Sequence, residues 1–250
     1  MEDTKPFLLL QTRPEDVTSN NEYDGFLLAS GLHPEHLVRF RVESSPLPKI
    51  NLDDYSGIIL GGGPFDISKP TEKKTDVQKR VETDLAKLLD ELVDKDYPFF
   101  GACYGIGTLG SHQGGVIGDK YAETVTPAYL TVTDGGEDDP LCKGLPHTFR
   151  AIVGHKEACE VLPAHAILLV SSPDCPVQMF RIKNNLYATQ FHPELDMEGL
   201  AIRVEVYKHA GYFAPEDIKT ILEMAEKADL SNAPTVLRNF VQRYSRPVKK

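Results

Sequence analysis

The sequence predicts an α/β fold, an open and mostly parallel sheet with helices on both faces. Three observations predict it. Short apolar runs recur through the first half of the chain. Stretches of helical apolar spacing separate them, which is how strands buried on both faces alternate with their covering helices. Two of the runs lead straight into glycine turns, Gly61-Gly62-Gly63-Pro64 and Gly101-Ala102-Cys103-Tyr104-Gly105. The ends of parallel strands are where active-site loops gather.

Each element follows from its pattern. Phe7-Leu8-Leu9-Leu10 reads as a buried strand. Residues 21–31 read as a short helix with Tyr23, Phe26, Leu27 and Ala29 toward one face and Gly31 as its stop. Residues 37–42 alternate apolar and basic side chains, as a strand with one wet face does, and Gly57-Ile58-Ile59-Leu60 is a further buried strand. Residues 75–95 form the clearest helix, with Val77, Val81, Leu85, Leu88, Leu89 and Leu92 at helical spacing. Residues 97–102 are then a strand, and Cys103 opens a helix running to about His112.

From Gly114 to Gln190 the pattern changes to short strands, at 116–117, 128–132, 148–153, 167–171, 177–182 and 186–190. The acidic segment from Asp134 to Pro140 reads as a solvated loop rather than a metal site. Three helices follow, at 197–209, 215–227 and 231–244, with Ser231 as N-cap and Pro234 in the first turn. The expected organisation is one domain over residues 1–212 and a C-terminal helical extension over residues 213–250.

Composition excludes more than it selects. The 250 residues carry 27 Lys and Arg against 37 Asp and Glu, a net charge of -10. That balance opposes a nucleic-acid surface, which needs clustered cations. No apolar stretch approaches the length of a membrane span, and the polar start Met1-Glu2-Asp3 is no export signal. The expectation is a cytoplasmic protein with reduced thiols. Cys103, Cys142, Cys159 and Cys175 form no Cys-x-x-Cys pair, and the eight histidines show no metal-binding spacing. No metal and no cofactor is expected.

The chemistry resides in three places. Cys103 sits at the tip of a strand-to-helix turn between Gly101 and Gly105, where helix N–H groups favour a thiolate. Phe191-His192-Pro193-Glu194 supplies a base, His192, and a carboxylate two residues on, Glu194, to orient it. The glycine turn lets backbone N–H groups approach a developing oxyanion. Gly63 and Tyr104 are the expected donors.

In that order these segments resemble the class I, triad-type glutamine amidotransferases, and within them the amidotransferase domain of GMP synthase. The matching residues are Ile58 to Pro64, Gly101 to Gly105, Gly114-Gly115 and Gln190 to Glu194, within a resemblance covering roughly residues 5 to 210. The resemblance implies a flavodoxin-like sheet and a small-molecule γ-glutamyl substrate, glutamine or a related amide, whose ammonia is released through a thioester. It also implies substrate-binding roles for Gly62 and Gly107, and for Gly154 and His155 in Val153-Gly154-His155-Lys156-Glu157.

Two departures matter. The family's elbow reads Cys-x-Gly-x-Gln, and its glutamine contacts substrate; here that position is Gly107. Either Gln113 or a loop group compensates, or the smaller residue makes room for a different γ-glutamyl compound. Loss of activity is the third reading, and the intact Cys103, His192 and Glu194 oppose it. The residues after the glutaminase-like segment are also too few for an ATP-using synthetase. Either a separate synthetase chain takes the ammonia, or the chain is a free-standing hydrolase. The alternatives to an amidotransferase-like hydrolase are thus a γ-glutamyl peptide hydrolase and a non-catalytic regulatory protein of the same fold.

Overall fold

The computed structural model describes residues 4–248; the polar start at Met1–Asp3 lies outside them. A nine-stranded mixed sheet runs through the molecule. Its parallel half consists of β1 (Phe7–Gln11), β2 (Leu37–Arg41), β3 (Ile58–Leu60), β4 (Phe99–Ala102) and β11 (Leu186–Thr189), in the order β2-β1-β3-β4-β11. Its antiparallel half continues with β10 (Met179–Ile182), β9 (Ile167–Ser171), β6 (Glu123–Val132) and β7 (Thr148–His155). β5 (Val116–Gly118) and β8 (Ala158–Val161) form a separate hairpin-like pair.

Burial explains the order. Leu8, Leu9, Leu10, Ile58, Ile59, Leu60, Phe99 and Phe100 are all buried, so their strands are covered on both faces and carry no polar alternation. α1 (Asp16–Ser30) covers one face, and α2 (Asp76–Asp94) and α3 (Tyr104–His112) the other. α2 opens with the Thr75 side chain accepting from the Gln78 N–H at 3.1 Å. It buries Val81, Leu85, Leu88, Leu89 and Leu92 as the spacing predicts. α1 ends at Gly31, which has φ 74° and donates to the Leu27 carbonyl, the left-handed stop expected there.

Several expectations need correction. α1 begins five residues before Asn21, because its first turns bury Thr18, Ser19 and Glu22 rather than apolar groups. The acidic segment is not a plain solvated loop: α4 (Asp134–Glu137) is one helical turn, and Asp139 is buried against the Arg181 guanidinium at 2.8 Å. Ser231 is not the cap of the last helix. It lies in the turn before it, bonded to Asp229, and Pro234 holds the cap position of α7 (Thr235–Tyr244).

The C-terminal segment expected as an extension shares the main core. α5 (Met197–Val206) and α6 (Ile218–Glu226) bury Leu200, Val204, Ile221 and Ala225 together. α7 inserts Phe240 between sheet side chains, its ring centroid 5.8 Å from Phe7 and 5.5 Å from Phe100. Phe240→Ala should therefore cost about 3–5 kcal/mol of unfolding free energy. Urea denaturation reads this directly; a change below about 1 kcal/mol would mean that α7 is peripheral.

Candidate active site

Cys103 follows β4 and precedes α3, with φ 52°. A side chain rarely adopts that backbone, and the turn holds it because strand and helix are packed almost backbone to backbone. A Cβ on Gly101 would lie 2.8 Å from the Gly105 Cα, so position 101 accepts only glycine. The Cys103 N–H donates to the Thr189 carbonyl at 2.7 Å, which ties the elbow to the end of β11. Its side chain is partly exposed, on the wall of a cavity.

β11 leads directly to His192. The His192 N–H donates to the Ile152 carbonyl at 2.9 Å, so the loop after β11 is pinned to β7. The His192 Nδ1 meets the Glu194 Oε1 at 2.9 Å, leaving Nε2 for the thiol side. Gly62 packs against both groups: a Cβ there would stand 2.9 Å from the His192 Cε1 and 3.5 Å from the Cys103 Cβ. Burial alone would push the His192 imidazolium down, but the Glu194 carboxylate and then Cys103 hold it up at about 9. Burial likewise opposes the charge on Glu194, yet His192 and Arg203 hold its carboxyl well below the usual range.

Arg203, on α5, is a partner the motifs do not reveal. Its Nη1 donates to the Glu194 Oε1 at 2.9 Å and lies 3.2 Å from the His192 Nδ1. Glu22 and Arg13 carry no motif either. Glu22, fully buried on α1, accepts from Arg13 Nε at 2.8 Å and from the Gly62 N–H at 3.2 Å. That carboxylate orients the glycine turn and engages Gly62, leaving Gly63 at the cavity wall beside Cys103. Tyr104 is the first residue of α3, where N–H groups lack a carbonyl one turn back.

Two cavities meet at Cys103 and Gly63. One, of about 330 Å³ with its mouth, is polar and bordered by Gly107, Lys156, Glu157 and Gln190. The space beside Gly107 is taken by Ile67 and the Glu157 carboxylate, each 3.3 Å from where a Cβ would stand. Glu157 is held there by the Ile67 and Ser68 N–H groups, both at 2.7 Å. The buried Gln190 Oε1 has no hydrogen-bond partner among the described residues. Gln113 does not compensate for Gly107; it sits at the far end of α3, bonded to His112 and His165.

His155 borders the polar cavity, but its ring is engaged elsewhere. Its Nε2 contacts the Glu123 Oε2 at 2.8 Å and its Nδ1 the Glu157 carbonyl at 3.0 Å. It therefore shapes the 153–157 segment rather than reaching substrate. Gly154 borders the other cavity, and a Cβ there would stand 2.8 Å from the Val125 side chain.

Glu123, His155 and Cys175 form a second Cys/His/Glu grouping, their ligand-type atoms within 4.8 Å of one another. It differs from the first in every property a nucleophile needs. Cys175 is fully buried, and burial pushes its thiol up to about 12. The Glu123 Oε2 already accepts from His155 and from Gln178 Nε2 at 2.8 Å. A protonated thiol and a doubly bonded carboxylate make a hydrogen-bonded core cluster. Among the described residues no helix is long and apolar enough to cross a membrane.

Known proteins share this architecture. The family description Glutamine amidotransferase class-I matches residues 27–201. The amidotransferase-type subunit of the glutamine-hydrolysing GMP synthase of Thermoplasma volcanium is 31% identical over 161 residues, 64% of this chain and 72% of the relative. The chain spans only 24% of the length of the Thermosipho africanus GMP synthase, at 30% identity. Gamma-glutamyl peptidase 4 of Arabidopsis thaliana is 24% identical over 97% of this chain and 98% of the relative. A crystal structure of a glutamine amidotransferase from Thermotoga maritima shares the fold with a TM-score of 0.77 at 19% identity, covering 96% of this chain and 98% of that one. Fold and family match agree, and the chain belongs to the class I glutamine amidotransferases.

Proposed function

We propose that this chain is a cysteine hydrolase that cleaves γ-glutamyl amides through a thioester. The observation that carries the reading is the row of Cys103, His192 and Glu194, with a partly exposed thiol at one end and a buried carboxylate at the other. The Cys103 thiolate attacks the γ-carbonyl carbon, and the N–H groups of Gly63 and Tyr104 receive the oxyanion. His192 gives its proton to the departing amine as the C–N bond breaks. Water then adds to the thioester, His192 takes a proton from it, and glutamate leaves with the thiol restored. Glu194 holds the imidazole orientation throughout. Gly62 keeps the glycine turn against the thiol and the base, and Gly107 leaves room for Glu157 at the acyl pocket.

The polar cavity suits the glutamyl end of such a substrate. Gln190 Oε1 and the Glu157 carboxylate are acceptors for an α-ammonium, and Lys156 is a cation for an α-carboxylate. The near full-length match to a relative named as a gamma-glutamyl peptidase supports γ-glutamyl amides broader than glutamine. Acid-quenched mass spectrometry tests the reading. Incubation with a γ-glutamyl amide should leave a γ-glutamyl adduct on Cys103 and release glutamate, and absence of both would refute it. The relative named as one part of a GMP synthase favours a second arrangement, with a separate ammonia-accepting chain. In that case glutamate release by the purified chain stays low until that chain is added.

A further inference from the structure

The second cavity at Cys103 is unlike the first. It encloses about 480 Å³ with its mouth, and its wall is largely apolar: Val125, Ile152, Leu195, Leu200, Val204 and Phe213. It also contains His192 and Arg203, whereas the polar cavity contains neither. That division assigns the two sides of the scissile bond. The base must reach the leaving nitrogen, so the leaving amine lies on the side of His192. The acyl part lies on the other side, with Gly107, Glu157 and Gln190.

Ammonia has no carbon to bury and gains nothing from an apolar wall of this size. Arg13 adds a polar anchor. Its Nε is bonded to Glu22 and its Nη1 to the Tyr207 hydroxyl, while Nη2 makes no hydrogen bond among the described residues. Arg13 borders this cavity, and its Nη2 would stand 2.7 Å from a Cβ on Gly62, on the side of the His192 ring. A guanidinium N–H beside an apolar wall fits an α-carboxylate next to an apolar side chain.

Resting on the hydrolase reading above, we propose that this cavity is a leaving-group subsite for α-amino acids with apolar side chains. The substrates are then γ-glutamyl dipeptides whose second residue is apolar. The bonds balance as for glutamine. Cys103 sulfur bonds to the γ-carbon, the amide C–N bond breaks, and the amino acid departs with the His192 proton. Water then hydrolyses the thioester to glutamate.

The experiment compares kcat/KM for glutamine, γ-Glu-Gly, γ-Glu-Leu and γ-Glu-Phe with the intact chain. γ-Glu-Leu and γ-Glu-Phe should exceed γ-Glu-Gly and glutamine by about tenfold or more, the discrimination an apolar pocket supplies. Glutamine or γ-Glu-Gly turned over as well as the apolar dipeptides overturns the proposal and leaves the hydrolase reading standing. No glutamate from any of the four, with no γ-glutamyl adduct on Cys103, overturns both. Val125→Phe, at a half-buried position on the cavity wall, provides a second readout. It should lower the ratio of γ-Glu-Phe to γ-Glu-Gly turnover about tenfold; an unchanged ratio overturns the assignment of this cavity.

Discussion

Cys103→Ala is expected to reduce hydrolysis of a γ-glutamyl amide to background, a loss on the order of 10⁴-fold or more. No other thiol can replace it, because Cys142, Cys159 and Cys175 are buried and burial pushes each of them up. Cys103→Gly should abolish activity equally while stabilising the fold. The nucleophile sits at φ 52° and ψ -91°, a backbone that costs a side chain about 1–3 kcal/mol. Glycine removes that cost and adds back roughly 0.5–1 kcal/mol through the entropy of the unfolded chain. A net gain of about 1 kcal/mol should appear as a higher urea midpoint at constant slope. Equal midpoints for the glycine and wild-type chains would show that the elbow stores no strain, and residual turnover by the alanine variant would remove Cys103 as nucleophile.

The parts legible in the sequence are those whose side chains also pack by a simple period. α2 and β1, β3 and β4 follow their patterns because each is buried against apolar neighbours. α1 is half hidden. Its inner face changes from Phe26 and Ala29 at one end to Thr18, Ser19 and Glu22 at the other, because the polar end faces the glycine turn rather than the core. A similar mixture hides the strand β8, where Glu160 and Val161 are outward and only Ala158 and Cys159 are buried.

The candidate site divides the same way. Cys103, His192 and Glu194 stand in motifs, and local backbone geometry alone demands glycines around them. Glu22, Arg13, Arg203 and Glu157 have no motif. Each reaches the site from a separate element, and its role exists only through a partner distant in sequence. Burial without an apolar partner is their common mark, visible only after folding. The question raised by Gly107 is answered by Glu157, fifty residues later, whose carboxylate fills the space a longer side chain at 107 would need.

Glu194→Gln should reduce kcat by about 10³–10⁴-fold, the loss expected when a histidine's orienting carboxylate becomes an amide. It should also move the pH profile in a predictable direction. In the wild type His192 is held at about 9, against burial, chiefly by Glu194. The alkaline limb of kcat/KM, which reports the free enzyme, should therefore fall near pH 9. Without the carboxylate, burial and the neighbouring Arg203 both oppose the imidazolium, so the limb moves to lower pH. A variant that keeps its limb near 9 would show that Glu194 does not set the proton affinity of His192.

Stability follows with opposite signs at the two groups. The raised His192 contributes stability that is complete below its ordinary 6.5 and is lost as pH rises through about 9. The lowered Glu194 contributes stability that is complete above its ordinary 4.5 and is lost as pH falls below it. The pair together is strongest between those ordinary values. In the variant Arg203 remains buried without its carboxylate, a cost of about 3–5 kcal/mol. Adding Arg203→Met should recover part of that stability and none of the turnover, which separates the arginine's structural service from the histidine's chemistry.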